Sequence, residues 1–495
     1  MNADTPEAVA LDTVREWSDE VDVVVIGAGI AGCCAAAEAA AAGARVLVLE
    51  RAAAAGGTSA MAGGHFYLGG GTPVQVATGH SDSAEEMQKY LTAVSPRPDV
   101  SKIRAYCGDS VEHFHWLEAL GFEFERSFYP EKAVIQPGTE GLMFTGNEKV
   151  WPFCELATPA PRGHKVPVAG DTGGAALVVD LLVRRLAELG VRIDYETGAT
   201  HLVREDSGAV AGVRWKRGRE QGAIRAGSVV LAAGGFVMNA EMVRAFVPAL
   251  AEKPYTLGSS YDDGLGIRLG MSVGGAVEQM DQCFVTAPIY PPARHLTGIV
   301  VNALGKRFVA EDSYHARTAG FVLEQPGARA YLIVDEAHLE KRDFLLVPFI
   351  DGWETVAEME AALRVPEGSL TETLARYNEH AALGQDPDFH KRPEYLEPQD
   401  SGPWAAFDLS LGAASYAGFT LGGLRTTADG QVLRADGSIV AGLYAAGACA
   451  PSLAQDSKGY ASGTQLGAGS YFGRRAGRHA AARARDDARI GGNAR

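Results

Sequence analysis

An apolar run that leads directly into glycines is the clearest pattern near the start of the chain. Residues 21–26 read Val-Asp-Val-Val-Val-Ile, a β-branched run of the length typical of a buried parallel strand. An alanine-rich stretch at 33–42 predicts a helix that ends at Gly43, and the apolar run at 45–49 predicts a second strand. Together these elements predict one βαβ unit.

The rest of the chain alternates helical and strand patterns. Helices are predicted within 83–120 and at 174–189, and strands at 191–195 and 228–233. Two further segments lack the pattern of a buried helix or strand. The glycine-studded stretch 56–71 has no periodicity and predicts a loop against a ligand, and the charged residues after Arg474 predict a solvated helix and tail.

A change of pattern divides the chain. Near residue 277 it becomes richer in prolines and aromatic residues, and this continues to about 408. We therefore expect an α/β fold with three segments: 1–277 as the first part of a nucleotide-binding domain, 278–408 as an inserted lobe, and 409–495 as the second part of that domain.

Composition and charge exclude several classes of protein. The chain has 495 residues, 46% of them hydrophobic, and a formal net charge of −16, which opposes binding to nucleic acid or an anionic membrane. It contains no apolar run of membrane-spanning length, and its polar start does not resemble a signal peptide. Six cysteines without a Cys-x-x-Cys pair predict reduced thiols, a cytoplasmic location and no metal site.

A glycine fingerprint supplies the first candidate chemistry. Gly27, Gly29 and Gly32 form a Gly-x-Gly-x-x-Gly motif between the first strand and its helix, and Glu50 ends the next strand. In this context the first glycine allows a tight turn, the second lets the backbone approach a pyrophosphate, and the third allows close packing of helix and strand. Glu50 would accept the ribose hydroxyls. The motif therefore predicts a dinucleotide site.

The residues after Glu50 favour FAD over a nicotinamide cofactor, because Arg51 and the Gly-Gly-x-Ser loop at 56–59 resemble the flavoprotein pattern. A second strand-linked fingerprint is not found, so we expect electrons to leave to an external acceptor. The predicted cofactor-binding residues are Gly27, Ala28, Gly29, Ala31, Gly32, Glu50, Arg51, Gly56, Gly57, Thr58, Ser59, Gly63, Gly64, Ala233, Gly234, Asp263, Gly447, Gly463 and Leu466.

Further motifs extend the resemblance over nearly the whole chain. They lie at 232–236 with Asn239, 261–264, 305–308, 422–424 and 442–447. With these residues the chain resembles the fumarate reductase and succinate dehydrogenase flavoprotein superfamily. The resemblance implies a Rossmann-like FAD-binding domain of the glutathione-reductase type with an inserted α+β capping domain.

Departures from that superfamily point to another substrate. Dicarboxylate enzymes hold their dianions with arginines and histidines, but the corresponding positions here are 459–464, Phe419, and Tyr314 with His315. A neutral pocket with hydroxyl donors suits a ketone. In this the chain resembles the 3-ketosteroid dehydrogenases, and among them the Δ4-(5α) type.

That resemblance implies three catalytic residues. Tyr460 would hold the C3 oxygen of the steroid, Ser462 would take the C4 proton, and Tyr314 would relay it, while the C5 hydride goes to the flavin N5. A 3-ketosteroid Δ1-dehydrogenase and a flavin ene-reductase remain alternatives, as does a flavin-binding protein without turnover. The loop at 58–60 lacks the histidine of covalent flavoproteins, which implies non-covalent FAD. Candidates to line a steroid slot are Phe66, Tyr67, Trp151, Phe153, Phe349 and Trp353.

Overall fold

The structure, a computed structural model, describes residues 6–251, 255–290, 292–340 and 346–492, with side chains described as far as residue 485. Its strands are Val9–Ala10, Asp19–Ile26, Val46–Leu49, His65–Tyr67, Leu142–Met143, Gly163–Lys165, Arg192–Asp194, Gly198–Arg204, Val210–Arg217, Glu220–Leu231, Tyr255–Thr256, Val277–Glu278, Cys283–Thr286, Ile299–Asn302, Ala330–Asp335, Phe349–Trp353, Trp404–Asp408, Ala417–Thr420, Gly423–Leu424, Gln431–Leu433 and Ile439–Ala445. Its α-helices are Ile30–Ala41, Gly57–Met61, Pro73–Ala77, Ala84–Ala93, Val100–Gly108, Ser110–Glu118, Phe153–Leu156, Ala176–Glu188, Ala240–Phe246, Pro248–Ala251, Leu265–Ser272, His315–Leu323, Val356–Leu363, Ser369–Ala381 and Thr464–Gly492.

Within the described residues the largest sheet has nine strands and a parallel centre. Its parallel strands lie side by side in the order Arg192–Asp194, Val46–Leu49, Asp19–Ile26, Glu220–Leu231 and Ile439–Ala445. The predicted βαβ unit is confirmed, because the first and second predicted strands pair in parallel and the helix Ile30–Ala41 connects them. The chain is therefore an α/β protein, as its sequence pattern predicts.

The helix Thr464–Gly492 corrects the prediction that the chain is solvated after residue 474. Its first turns pack against the helix Ile30–Ala41. Arg474 is only 1% exposed and makes ion pairs with Glu38 at 3.0 Å and Glu112 at 2.8 Å. The basic composition suggested solvation, but Arg474 and Arg475 are paired with carboxylates of neighbouring segments, and Ala476 and Ala480 are fully buried.

The glycine-rich stretch 56–71 is also more ordered than predicted. It contains the short helix Gly57–Met61 and the strand His65–Tyr67, which pairs with Gly163–Lys165. Phe66 and Tyr67 are fully buried in the main core. The interpretation as a plain loop was wrong because a three-residue strand that pairs 98 positions away, such as Phe66 with His164, leaves no local periodicity.

Residues between 278 and 408 contribute a separate antiparallel sheet. In the described part of this segment, the strands lie in the order Ile299–Asn302, Ala330–Asp335, Trp404–Asp408 and Phe349–Trp353. The helices Val356–Leu363 and Ser369–Ala381 share a hydrophobic cluster with this sheet.

A small three-stranded sheet positions part of the site. It joins Tyr255–Thr256, Ala417–Thr420 and Cys283–Thr286, so it contains strands from both sides of the predicted boundaries at 277 and 408. Its register places Phe284 opposite Phe419.

Candidate active site

A cavity of about 660 Å³ lies at the carboxyl ends of the parallel strands. Its wall includes Ile26, Leu49 and Ala232, each at or directly after the end of one of these strands. This is the position at which open α/β sheets bind their ligands. The predicted site residues in its wall are Gly27, Gly29, Ala31, Glu50, Arg51, Gly56, Gly57, Thr58, Ser59, Gly63, Ala233, Gly234, Gly447, Gly463, Leu466, Tyr314, Tyr460 and Ser462.

Gly27 lies in the tight turn that the sequence predicts, and the helix begins directly after Gly29. Gly27 has φ +101°, and a Cβ there would lie 2.4 Å from the carbonyl oxygen of Ala232. Gly29 precedes the first helix with φ −72°, and the nearest protein atom to a Cβ at this position would be Ser59 Oγ at 3.5 Å. Gly29 is therefore not required by crowding within the protein, and its bare backbone leaves room for a ligand beside the helix N-terminus.

Glu50 has a structural partner that the sequence does not reveal. Its Oε2 accepts the amide of Ala28 and its Oε1 accepts the amide of Ala52, both at 2.7 Å. These bonds orient the carboxylate at the edge of the cavity. Each oxygen keeps a further lone pair that can accept a ribose hydroxyl.

Four predicted cofactor-binding residues lie outside the cavity wall. The buried Ala28 donates its backbone amide to Glu50. A Cβ on Gly32 would lie 1.9 Å from the Gly27 carbonyl oxygen, so a glycine here allows the helix to pack closely against the turn. Neither residue lines the cavity. Gly64 has φ +94° and lies against Val166.

Asp263, the fourth, acts through Arg51. Its carboxylate makes a 2.9 Å ion pair with Arg51, which lines the cavity and also stacks over the ring of Tyr261. The neighbouring Asp262 lines the cavity and accepts a hydrogen bond from Thr58. Burial raises the pKa of Asp262 above its usual value.

The residues of this wall fit a dinucleotide. A bare glycine turn, a helix N-terminus and an oriented carboxylate are the three features that bind a pyrophosphate and a ribose. A second helix, Thr464–Gly492, also begins at the wall directly after Gly463.

Two hydroxyl groups of the cavity wall meet each other. The Tyr314 hydroxyl lies 2.7 Å from the Ser462 hydroxyl. Tyr314 occupies the position before the helix His315–Leu323, and its carbonyl oxygen accepts the amides of Arg317 and Thr318. Burial raises the pKa of Tyr314 well above its usual value, with the bond to Ser462 acting in the opposite direction, so the phenol remains protonated at neutral pH.

Tyr460 stands in an aromatic wall. Its ring centroid is 4.6 Å from Phe284 and 5.7 Å from Phe419, and those two rings stack on each other at 4.7 Å. Burial raises the pKa of Tyr460, while the backbone of Gln465 acts in the opposite direction. Its hydroxyl is therefore a neutral donor in apolar surroundings.

His315 is a wall residue to which the sequence assigns no role. Its Nδ1 is hydrogen-bonded to Thr286 Oγ1, and its backbone amide donates to the Tyr290 hydroxyl at 3.1 Å. Burial lowers the pKa of His315 to about 3, with the charge of Lys132 acting in the same direction. The imidazole is therefore neutral, and its Nε2 has no hydrogen-bond partner among the described residues.

The aromatic residues suggested for a substrate slot do not line this cavity. Phe66, Tyr67, Trp151, Phe153, Phe349 and Trp353 lie outside the wall, whereas Phe284 and Phe419 form part of it. Other wall residues that the sequence did not single out include Val134, Ile135, Val237, Leu257 and Thr286. They come from elements far apart in the chain, so no local signal marks them.

Comparison with known proteins identifies the family. A family model described as FAD binding domain matches residues 22–470. The chain belongs to this FAD-binding family. The predicted FAD cofactor, the FAD-dependent oxidoreductase class and the place in the fumarate reductase superfamily are therefore confirmed.

Individual relatives of this FAD-binding protein are dehydrogenases and a reductase. A crystal structure of 3-ketosteroid-Δ4-(5α)-dehydrogenase from Rhodococcus jostii RHA1, in complex with 4-androstene-3,17-dione, is 42% identical with a TM-score of 0.91, covering 96% of this chain and 99% of that one. The 3-oxo-5-alpha-steroid 4-dehydrogenase of Comamonas testosteroni is 29% identical over 87% of this chain and 93% of its own. A vinyl phenol reductase of Lactiplantibacillus plantarum is 28% identical over 94% and 97% respectively. The resemblance to the Δ4-(5α) dehydrogenases is confirmed.

The described part of this FAD-binding protein contains neither a candidate membrane helix nor a candidate metal cluster. None of its described helices has both the length and the apolar character needed to cross a bilayer. Nor do the described histidines, cysteines and carboxylates form a group of three or more that could hold a metal ion.

Proposed function

We propose that this protein dehydrogenates a 3-keto-5α-steroid to the 4-ene-3-ketosteroid. The observation that carries the proposal is the 2.7 Å contact between the Tyr314 and Ser462 hydroxyls, in the same cavity as the glycine cradle and Tyr460. Support also comes from the 42% identical dehydrogenase, whose crystal structure contains 4-androstene-3,17-dione.

Tyr460 activates the ketone. Its neutral hydroxyl donates a hydrogen bond to the C3 oxygen, where negative charge develops as the C4 proton leaves. The rings of Phe284 and Phe419 beside it keep water away, and an apolar environment strengthens this bond.

Ser462 takes the C4 proton. A serine hydroxyl is a weak base, so it must pass its own proton on as it accepts one. Tyr314 is the partner within hydrogen-bond reach, and it receives the Ser462 proton as it gives up its own phenolic proton, which is released to the solvent. The electrons of the C4–H bond form the C4–C5 double bond as hydride leaves C5.

FAD, when bound, supplies the hydride acceptor for C5. We propose that Gly27, Gly29, Glu50 and Ser59 hold it without a covalent bond. The loop at 58–60 has no histidine, and the nearby wall residue His65 is hydrogen-bonded through Nε2 to Gln136 at 2.7 Å. Acid precipitation should therefore release all the flavin into the supernatant, and flavin that stays with the pellet would contradict the assignment.

We also propose the domain organisation predicted above: 1–277 and 409–495 as a glutathione-reductase-type FAD domain and 278–408 as an inserted capping domain. The separate sheet and core cluster within 299–408 support it.

We propose that an external acceptor reoxidises the protein's cofactor. The six free cysteines are typical of a protein kept in the reducing cytoplasm.

Anaerobic mixing with 5α-androstane-3,17-dione tests this function. We expect rapid bleaching of the flavin absorbance near ~450 nm, as a hydride-accepting flavin requires, and a 4-ene product identified by mass spectrometry and NMR. A 1-ene product would instead assign Δ1 chemistry. Absence of bleaching with any 3-ketosteroid would refute the steroid assignment.

An ene-reductase is the second candidate, because the vinyl phenol reductase covers nearly all of both chains. The same pair of hydroxyls would then deliver a proton rather than remove one. The protein with its flavin reduced is mixed with a vinyl phenol in one experiment and with a 4-ene-3-ketosteroid in another. Rapid reoxidation of the flavin by the vinyl phenol is expected only of a reductase.

A further inference from the structure

A three-residue segment behind the cavity, 145–147, contacts both halves of the proton-transferring pair. We call it the brace. None of its residues lines the cavity, and Thr145 and Asn147 are 3% and 0% exposed. Its role concerns the site proposed above, so the inference rests on that proposed function.

The brace holds Ser462 by two hydrogen bonds. The Ser462 amide donates to the Thr145 carbonyl oxygen at 2.9 Å, and the Thr145 hydroxyl donates to the Ser462 carbonyl oxygen at 3.0 Å. Both polar groups of the Ser462 backbone are therefore attached to one residue. Gly163 leaves space for this side chain, because a Cβ there would lie 2.1 Å from Thr145 Cγ2.

Asn147 holds Tyr314. Its Oδ1 accepts the Tyr314 amide at 2.9 Å, and its Nδ2 donates to the Lys458 carbonyl oxygen at 3.2 Å, two positions before Tyr460. The backbone amide of Asn147 in turn donates to the Tyr90 hydroxyl at 2.8 Å. One amide side chain thus connects the segments that carry Tyr314 and Tyr460.

Gly146 completes the contact. A Cβ at this position would lie 2.8 Å from the Cβ of Ala461, which stands between Tyr460 and Ser462, and 2.7 Å from the Tyr90 hydroxyl. A side chain here would push the brace away from the site. The glycine is therefore required for the close approach.

These contacts have a geometric consequence. Tyr314 and Ser462 are 148 positions apart, and a hydroxyl-to-hydroxyl proton transfer depends on a short, well-aligned bond between them. Their backbones are each hydrogen-bonded to the same short segment. We propose that Thr145 and Asn147 are positioning residues that set the Tyr314–Ser462 bond for removal of the C4 proton.

A matched pair of variants at Thr145 tests this. Thr145→Val keeps the shape but removes the hydroxyl, and Thr145→Ser keeps the hydroxyl. One lost hydrogen bond corresponds to roughly a 2- to 12-fold change, so we expect Thr145→Val to lower kcat about 5- to 10-fold with KM unchanged. Thr145→Ser should remain within about 2-fold of wild type. Flavin absorbance per protein checks that each variant holds its cofactor.

A second readout follows the proton step alone. Deuterium from D₂O should enter C4 of 5α-androstane-3,17-dione more slowly with Thr145→Val, and also with Asn147→Leu, which serves if the first variant does not fold. A merely structural residue would lower stability or flavin content without slowing this exchange in the folded enzyme.

The outcomes separate the two proposals. If the wild-type protein turns over the steroid, and both Thr145→Val and Thr145→Ser keep the wild-type kcat and the wild-type rate of C4 exchange, the brace proposal alone is overturned. A parallel loss in both variants would also overturn it, because the hydroxyl would not be responsible. A wild-type protein without steroid turnover or C4 exchange would overturn the proposed function and the brace with it.

Discussion

The Tyr314 hydroxyl lies 2.7 Å from the Ser462 hydroxyl, although 148 positions separate the two residues in the chain. In the proposed mechanism this contact makes the weakly basic serine one end of a proton relay. It forms because the helix His315–Leu323 begins against the segment that leads into the helix Thr464–Gly492.

Loss of either hydroxyl should abolish most of the activity. General base catalysis contributes about 10²- to 10⁴-fold, so we expect Ser462→Ala and Tyr314→Phe each to lower kcat by that order. Because the two groups act as one relay, the double variant should be little worse than either single variant. Steady-state kinetics with 5α-androstane-3,17-dione measures all three, and additive losses would show that the two hydroxyls act independently.

Tyr460→Phe should weaken activation of the ketone. Removal of one donor to a developing oxyanion costs roughly 10²- to 10³-fold in rate, and the phenyl ring preserves packing against Phe284 and Phe419. The flavin spectrum and thermal midpoint should remain those of wild type. A variant that keeps more than a tenth of the wild-type kcat/KM would place the ketone elsewhere.

Gly29 and Gly32 should respond differently to substitution. Gly29→Ala has room within the protein, since the nearest atom to its Cβ is 3.5 Å away, so we expect a folded protein with FAD affinity reduced roughly 10-fold or more by crowding at the ligand. Gly32→Ala places a Cβ 1.9 Å from the Gly27 carbonyl oxygen and should destabilise the fold itself. Fluorescence titration of apoprotein with FAD, and circular dichroism, distinguish the two effects. Normal FAD binding by Gly29→Ala would remove this turn from the cofactor site.

Acid should destabilise the protein through buried histidines. Burial lowers the pKa of His65 and of His164 to about 4, whereas in the unfolded chain each takes up a proton near pH 6.5. The unfolded state therefore binds more protons below pH 6.5, and each histidine removes up to about 1.4 kcal/mol of stability per pH unit as the pH falls from 6.5 to 4.

Thermal midpoints measured between pH 7.5 and 4.5 check this expectation. His164 is bonded to Thr72 Oγ1 at 2.8 Å and lies outside the cavity wall, so His164→Gln tests it without touching the ligand site. The variant should have a shallower acid dependence than wild type, and an unchanged slope would contradict the assignment.

Some site residues can be predicted from the sequence because their signals are local. Gly27 and Gly29 follow a β-branched run, and Glu50 ends the next one, so strand pattern and spacing identify the dinucleotide cradle. Tyr460 and Ser462 come from the family resemblance, which compares aligned positions. Phe284 and Thr286 carry no such signal, because nothing in the neighbouring residues distinguishes a cavity wall from ordinary core.

By itself the sequence determined the βαβ unit and the FAD cofactor, and it predicted the three hydroxyl residues, since each depends on residues close together in the chain or on a family pattern. Only the tertiary structure decided that Glu50 binds the Ala28 amide, that Arg474 is buried, and that the segment 145–147 holds Tyr314 and Ser462 together. The physical reason is distance along the chain. Such contacts arise when separate elements pack, and packing is set by the whole core rather than by local periodicity.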